Sequence, residues 1–118
     1  MASTGQKPNF LNLGDRIHMK NFRTFELAVE FYRQSCLLRL RGHLRDQLLR
    51  ASQSIALNLA EGRGKPTLKD QKKFFSIAMG SLRECQAALI LAELEGTETW
   101  NTLDNLGAHL YRLIKNAK

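Results

Sequence analysis

The side chains that most often do chemistry are sparse and scattered along this 118-residue chain. His18, His43 and His109 each stand alone. His43 comes three and four residues before Asp46 and Gln47, which reads as a helix start and not as an acid–base dyad. No H-E-x-x-H, no G-x-S-x-G and no carboxylate pair with a basic partner occurs. Cys36 and Cys85 lie 49 positions apart, with no C-x-x-C and no histidine beside them. Both are expected to be free thiols acting as small apolar residues, and no metal or other cofactor is expected. The run Gly62-Arg63-Gly64-Lys65-Pro66-Thr67 has the composition of a phosphate loop. It lacks the spacing of one and the strand that precedes it, so it reads as a turn between helices. Nothing in the residue types points to an enzyme.

What the chain does have is positive charge. Eighteen Lys and Arg face eleven Asp and Glu, a net +7 with a pI near 9.9. On a small domain this favours a polyanionic partner, RNA or DNA. The densest basic stretch is Arg63, Lys65, Lys69, Lys72 and Lys73. Whether these cations form one surface depends on the elements that carry them.

Those elements read as helices in one domain. Apolar residues are 43% and charged residues 25%, ordinary for a globular chain, and two prolines with eight glycines exclude collagen-like and Pro/Gly-rich classes. The longest unbroken apolar run, Ala87 to Ala92, is far short of the ~20 residues of a membrane span, so no membrane partner is expected. The N-terminus has no apolar core of a secretory signal, and a reducing cytoplasmic location is expected. Residues 1–18 carry no period. They read as a tail, or as a leader ahead of a natural start at Met19, and the bundle is expected over 19–118.

From Phe22, a step of three and four runs through Phe25, Val29, Tyr32, Cys36 and Leu40 and predicts a first helix, broken at Arg41-Gly42. A second, from about His43, carries Leu44, Leu48, Ala51, Ser52, Ile55 and Leu59. It is expected to stop in the Gly62–Pro66 stretch, where glycine can turn left-handed and proline cannot continue. Thr67 predicts the cap of a third helix, running to about Leu94 with a seam of Phe74, Ala78, Ser81, Cys85, Ala88 and Ala92, widened by Phe75, Leu82 and Leu89. Gly96 ends it, Thr97 or Thr99 caps the next, and Trp100, Leu103, Leu106, Leu110 and Leu113 predict a fourth. No segment alternates as a strand does. Short links between four helices imply an all-α, up-down-up-down antiparallel four-helix bundle. The third helix outruns the first, so its end should project or meet another chain.

This topology puts the starts of helices one and three and the ends of helices two and four together. Lys20, Arg23, Arg63, Lys65, Lys69, Lys72, Lys73, Arg112, Lys115 and Lys118 then share one end with only Glu26, Glu61 and Asp70. That excess equals the whole net charge. Arg112, Lys115 and Lys118 also suit the end of their helix, where the dipole favours cations. The Lys65–Lys73 group sits where the dipole disfavours them, which gives it the stronger claim to bind phosphates. Phe74 and Phe75 both fit the core seam, so contact is expected to the backbone of a nucleic acid and not to stacked bases. A hairpin turning near Gly64-Lys65 brings Asp46 level with Arg83, and Arg50 within reach of Glu84, as register-setting pairs. Gln53, Ser54 and Asn58 lie in a chargeless stretch of the second helix and read as a subunit interface.

Two blocks carry a resemblance: R-x-x-x-S-I-x-x-N-x-A-E-G-x-G from Arg50 to Gly64, and F-x-x-I-A-x-G-S-L-x-E from Phe74 to Glu84, joined by the basic Lys65–Lys73 linker. In that order they resemble the four-helix-bundle family of 23S rRNA intervening-sequence proteins. The family includes Avd, the accessory variability determinant of diversity-generating retroelements. The resemblance spans about 100 residues from Met19. It implies a cytoplasmic bundle that assembles as a ring, notably a homopentamer, and is not itself an enzyme. For an Avd-like member it further implies nucleic-acid binding through basic surface, and partnership with a reverse transcriptase in mutagenic retrohoming. For an intervening-sequence member it implies a gene inside an rRNA insert and a poorly defined role. The chain departs from its relatives in a short link between helices one and two, an N-terminal extension, and a first helix without the tryptophan some members carry. A protein-interaction scaffold with an acidic protein partner is the reading that the charge alone leaves open.

Overall fold

The structure is a computed structural model and describes residues 22–117. Met19, Lys20, Lys118 and the segment 1–18 lie outside the described residues. Four helices follow in order: α1 Arg23–Cys36, α2 Gly42–Arg63, α3 Leu68–Leu91 and α4 Glu98–Asn116. There is no strand among the described residues. Each helix packs on its neighbours in the chain and α4 closes back on α1, giving the four-helix bundle, with α2 against α3 the most extensive contact.

The helix starts follow their capping chemistry. Thr67 Oγ1 accepts the Asp70 backbone N–H at 3.1 Å, and Thr97 Oγ1 accepts that of Trp100 at 3.3 Å. The helix ends differ from expectation in an instructive way. Gly64, which ends α2, has φ −84°, so no left-handed turn is used there. Pro66 follows and supplies the stop. Gly62 stays inside the helix because a side chain would not fit: a Cβ there would lie 2.7 Å from Phe75 Cε1 and 3.1 Å from Phe74 Cβ. α3 ends at Leu91, short of the expected Leu94. Glu93 takes φ 59°, and the Leu94 N–H reaches the Leu89 carbonyl at 2.9 Å while Glu93 N–H reaches that of Ile90. This is a left-handed helix terminus built on a glutamate where glycine is the usual choice.

α1 stops at Cys36, four residues before the expected Leu40. Leu38 and Leu40 pack on the core from an irregular link, and Gly42 leaves that link with φ 62°. Apolar loop residues had continued the helical spacing by accident. The inward stripe of α1 is also rotated, by roughly 100°, from the one the spacing picks out. Phe22, Thr24, Leu27, Ala28, Phe31 and Ser35 are buried, while Phe25, Val29, Tyr32 and Cys36 lie half-buried on the flank. Thr24 and Ser35 are polar letters in the true stripe and masked it.

The rest of the core matches the expected seams. Leu48, Ile55 and Leu59 of α2, Leu82, Cys85 and Leu89 of α3, and Leu103, Leu106 and Leu110 of α4 are all buried. On α3 the inward aromatic is Phe75, 3% exposed, and not Phe74, which is half-buried. By length and composition α3 is long and apolar enough to cross a membrane, contrary to the expectation drawn from unbroken runs. Its inward face completes the core of the bundle, which itself demands a long apolar stripe.

Candidate nucleic-acid interface

The topology gathers the ends of α2 and α4 and the start of α3. A hollow of about 150 Å³ is lined jointly by Arg63, Leu68, Gln71, Phe75, Leu113 and Asn116. Phe22, at the head of α1, packs its ring 6.4 Å from that of Phe75. All four helices therefore meet at this end, as the charge map requires.

The cations are arranged around aromatic rings. The Arg63 guanidinium lies 4.4 Å over the Phe22 ring, which itself stacks on Phe25 at 6.5 Å. Lys65 Nζ is 3.0 Å from Glu61 Oε2 and 5.1 Å from the centroid of Phe74. Lys73 Nζ approaches the same ring at 6.0 Å. Gln71 Nε2 donates to the Lys65 carbonyl at 2.9 Å and ties the linker to the first turn of α3. On α4, Lys115 Nζ is 5.9 Å from the Tyr111 ring. Lys69, Lys72, Lys73, Arg112 and Lys115 are exposed.

Two of the three carboxylates at this end are engaged locally, Glu61 with Lys65 and Glu26 with Arg23 at 3.5 Å. Exposed pairs of this kind contribute about 0–1 kcal/mol and do not hold their cations tightly. Asp70 is the remaining acid, and no ion pair joins it to Lys69, Lys72 or Lys73 among the described residues. The structure thus brings Arg23, Arg63, Lys65, Lys69, Lys72, Lys73 and Lys115 to one end. Lys20 lies outside the described residues.

Other expected residues are placed differently. Asp46, Arg50, Arg83 and Glu84 are all exposed, and none is in an ion pair among the described residues. The hairpin register explains this. Ser54 Oγ receives a hydrogen bond from Ser81 Oγ at 2.7 Å, and Gly62 faces Phe75. Asp46 therefore lies level with a point on α3 about two turns beyond Arg83. Register is set by this serine pair and by the Gly62–Phe75 approach. Asn58 Nδ2 donates to the carbonyl and the hydroxyl of Ser54 at 2.9 and 3.1 Å, and Gln53 Nε2 donates to Tyr32 Oη at 3.2 Å. Of the residues expected at a subunit interface, Ser54 thus joins α2 to α3 and the exposed Gln53 joins α2 to α1, while Asn58 bonds within α2.

No cluster of three or more His, Cys, Asp or Glu side chains occurs among the described residues. His43 is exposed, and His109 Nδ1 sits 3.0 Å from the Asn105 carbonyl. Cys36 and Cys85 are free thiols. Burial, with a smaller contribution from the Glu84 charge, pushes the Cys85 thiol up to about 12, so it stays protonated and inert at neutral pH.

Sequence spacing missed two residues of this end, the half-exposed ring of Phe74 and the exposed Tyr111. The seven-residue step Phe75, Leu82, Leu89 was the signal that Phe75 alone points inward. A helical bundle with a lysine-rich end and one thiol, Cys85, sealed in its core is the class that fold and site define. The chain belongs to the 23S rRNA-intervening sequence protein family, whose model matches residues 22–117. No curated protein and no solved structure matches it.

Proposed function

We propose that this protein is a non-catalytic accessory factor that binds RNA or DNA through the phosphates facing its basic end. The observation that carries this reading is the segregation of charge. Lys69 projects from the first turn of α3, where the helix dipole opposes positive charge, Lys72 and Lys73 follow in the second turn, and no local carboxylate pairs with them among the described residues. A stability role does not account for such a placement, whereas a phosphate does. Each neutralised phosphate releases counterions, so affinity must fall steeply with salt.

The resemblance to Avd extends the proposal. On its support we propose a cytoplasmic retroelement role with a reverse transcriptase as protein partner, and assembly as a homo-oligomer, a pentamer first. Assembly multiplies the basic ends on one particle and makes weak phosphate contacts avid. The exposed Ile90 and Leu91 at the far end of the long α3 favour such self-association.

The test is a triple reversal, Lys69→Glu, Lys72→Glu and Lys73→Glu. It is expected to abolish most binding to a structured RNA and to reduce the slope of log affinity against log salt by about two to three. Unchanged affinity with intact helicity overturns the site.

A further inference from the structure

The basic end holds more than charge. Phosphate contact alone needs lysines on any scaffold, yet here two aromatic rings stand among them. Phe74 is half-buried, and Phe75 beside it already fills the core. Its ring carries Lys65 at 5.1 Å and Lys73 at 6.0 Å. Tyr111 is 58% exposed and carries Lys115 at 5.9 Å. A ring face that carries flexible ammonium groups at these distances gains exposure when the lysines swing toward a phosphate. The exposed face then accepts another flat π-system.

We infer that the basic end grips an unpaired strand, its bases stacking on Phe74 and Tyr111 while Lys65, Lys73 and Lys115 hold the adjoining phosphates. This rests on the nucleic-acid reading above and names its ligand class. A duplex keeps its bases stacked inside and can use only the lysines. A single strand can use both, and any base will serve because every base has a π-face. Gly62 makes the arrangement possible at Phe74. Without a side chain there, α2 approaches closely enough to bring Lys65 over the ring.

The experiment compares fluorescence anisotropy of the full chain on an unstructured oligouridine, an oligothymidine and a blunt RNA duplex of equal charge. Phe74→Leu and Tyr111→Leu keep apolar bulk and remove the aromatic face. Each is expected to weaken oligouridine and oligothymidine binding by about fivefold or more, the low end of what one stacked base contributes, and to leave the duplex unchanged. Tyr111 is exposed, so its replacement leaves the fold intact and keeps the test valid should Phe74→Leu unfold. Binding of all three probes, unaltered by either substitution, overturns stacking and leaves phosphate binding standing. Equal losses on strand and duplex also overturn it. No binding of any probe by the unaltered protein overturns the nucleic-acid reading itself.

Discussion

Gly62→Ala is the most informative single substitution for how the fold builds its basic end. Alanine in a helix interior is favoured over glycine by about 1 kcal/mol, so by propensity alone the change stabilises. The structure opposes this. The new methyl would meet the Phe75 ring at 2.7 and 2.9 Å and the Phe74 Cβ at 3.1 Å. Phe75 is a core ring, 3% exposed and packed on Phe22, so moving it away from a new methyl disturbs that packing. Forcing a methylene-sized group into such a site costs about 1–3 kcal/mol. The net expectation is a loss of up to about 2 kcal/mol. Gly80→Ala is the internal control, because nothing lies within 4 Å of a Cβ there. It should gain the full propensity term of about 1 kcal/mol. Urea unfolding followed by far-ultraviolet circular dichroism reads both, and the two substitutions should move the midpoint in opposite directions. Adding Phe75→Leu should recover part of the Gly62→Ala loss through a favourable coupling between the two positions. If Gly62→Ala stabilises as much as Gly80→Ala, the close approach of α2 to α3 is not tight, and the argument that Gly62 positions Lys65 fails with it.

Glu93→Gly removes a side chain from a left-handed φ of 59° and should raise stability by about 1 kcal/mol, read as a higher melting temperature. Ile55→Asp places an unpaired carboxylate at a fully buried core position, and the cost of several kcal/mol should leave the chain unfolded by circular dichroism. A folded, soluble Ile55→Asp protein would refute the inward face of α2. Cys85 gives a pH signature. Its thiol titrates near 12 in the fold against 9.0 when free, so the unfolded chain loses that proton first as pH rises. Its contribution is fully present below about pH 9 and declines from there toward 12, and Cys85→Ala should flatten that part of the stability profile relative to the native chain. Thiol labelling at neutral pH should modify the half-buried Cys36 and reach Cys85 only after unfolding.

The four helices and three of their four inward faces were legible because long amphipathic stripes repeat often enough to outweigh local exceptions. α1 was the exception for a physical reason. It is 14 residues long, both its flank and its core stripe are largely apolar, and Thr24 and Ser35 disguise the latter. The basic end was legible because charge placement follows from topology alone. The pairs Asp46–Arg83 and Arg50–Glu84 were not, because hairpin register depends on close packing at Gly62 and on the Ser54–Ser81 hydrogen bond. A glycine in a sequence reads first as a turn, and only the neighbouring ring shows that it is a contact. The same limit hid Phe74. Phe74 and Phe75 both fit the edge of the α3 seam by spacing, and burial gives the inward place to Phe75.

Salt-dependent binding to a structured RNA, with particle mass from light scattering on the same sample, tests the central claim most directly. The account predicts binding at low salt by a particle of several subunits. Affinity should collapse as salt rises, and the slope should flatten in the Lys69, Lys72 and Lys73 reversal. Absence of binding at low salt would contradict it and leave the basic end as a solvated surface on a protein-interaction scaffold.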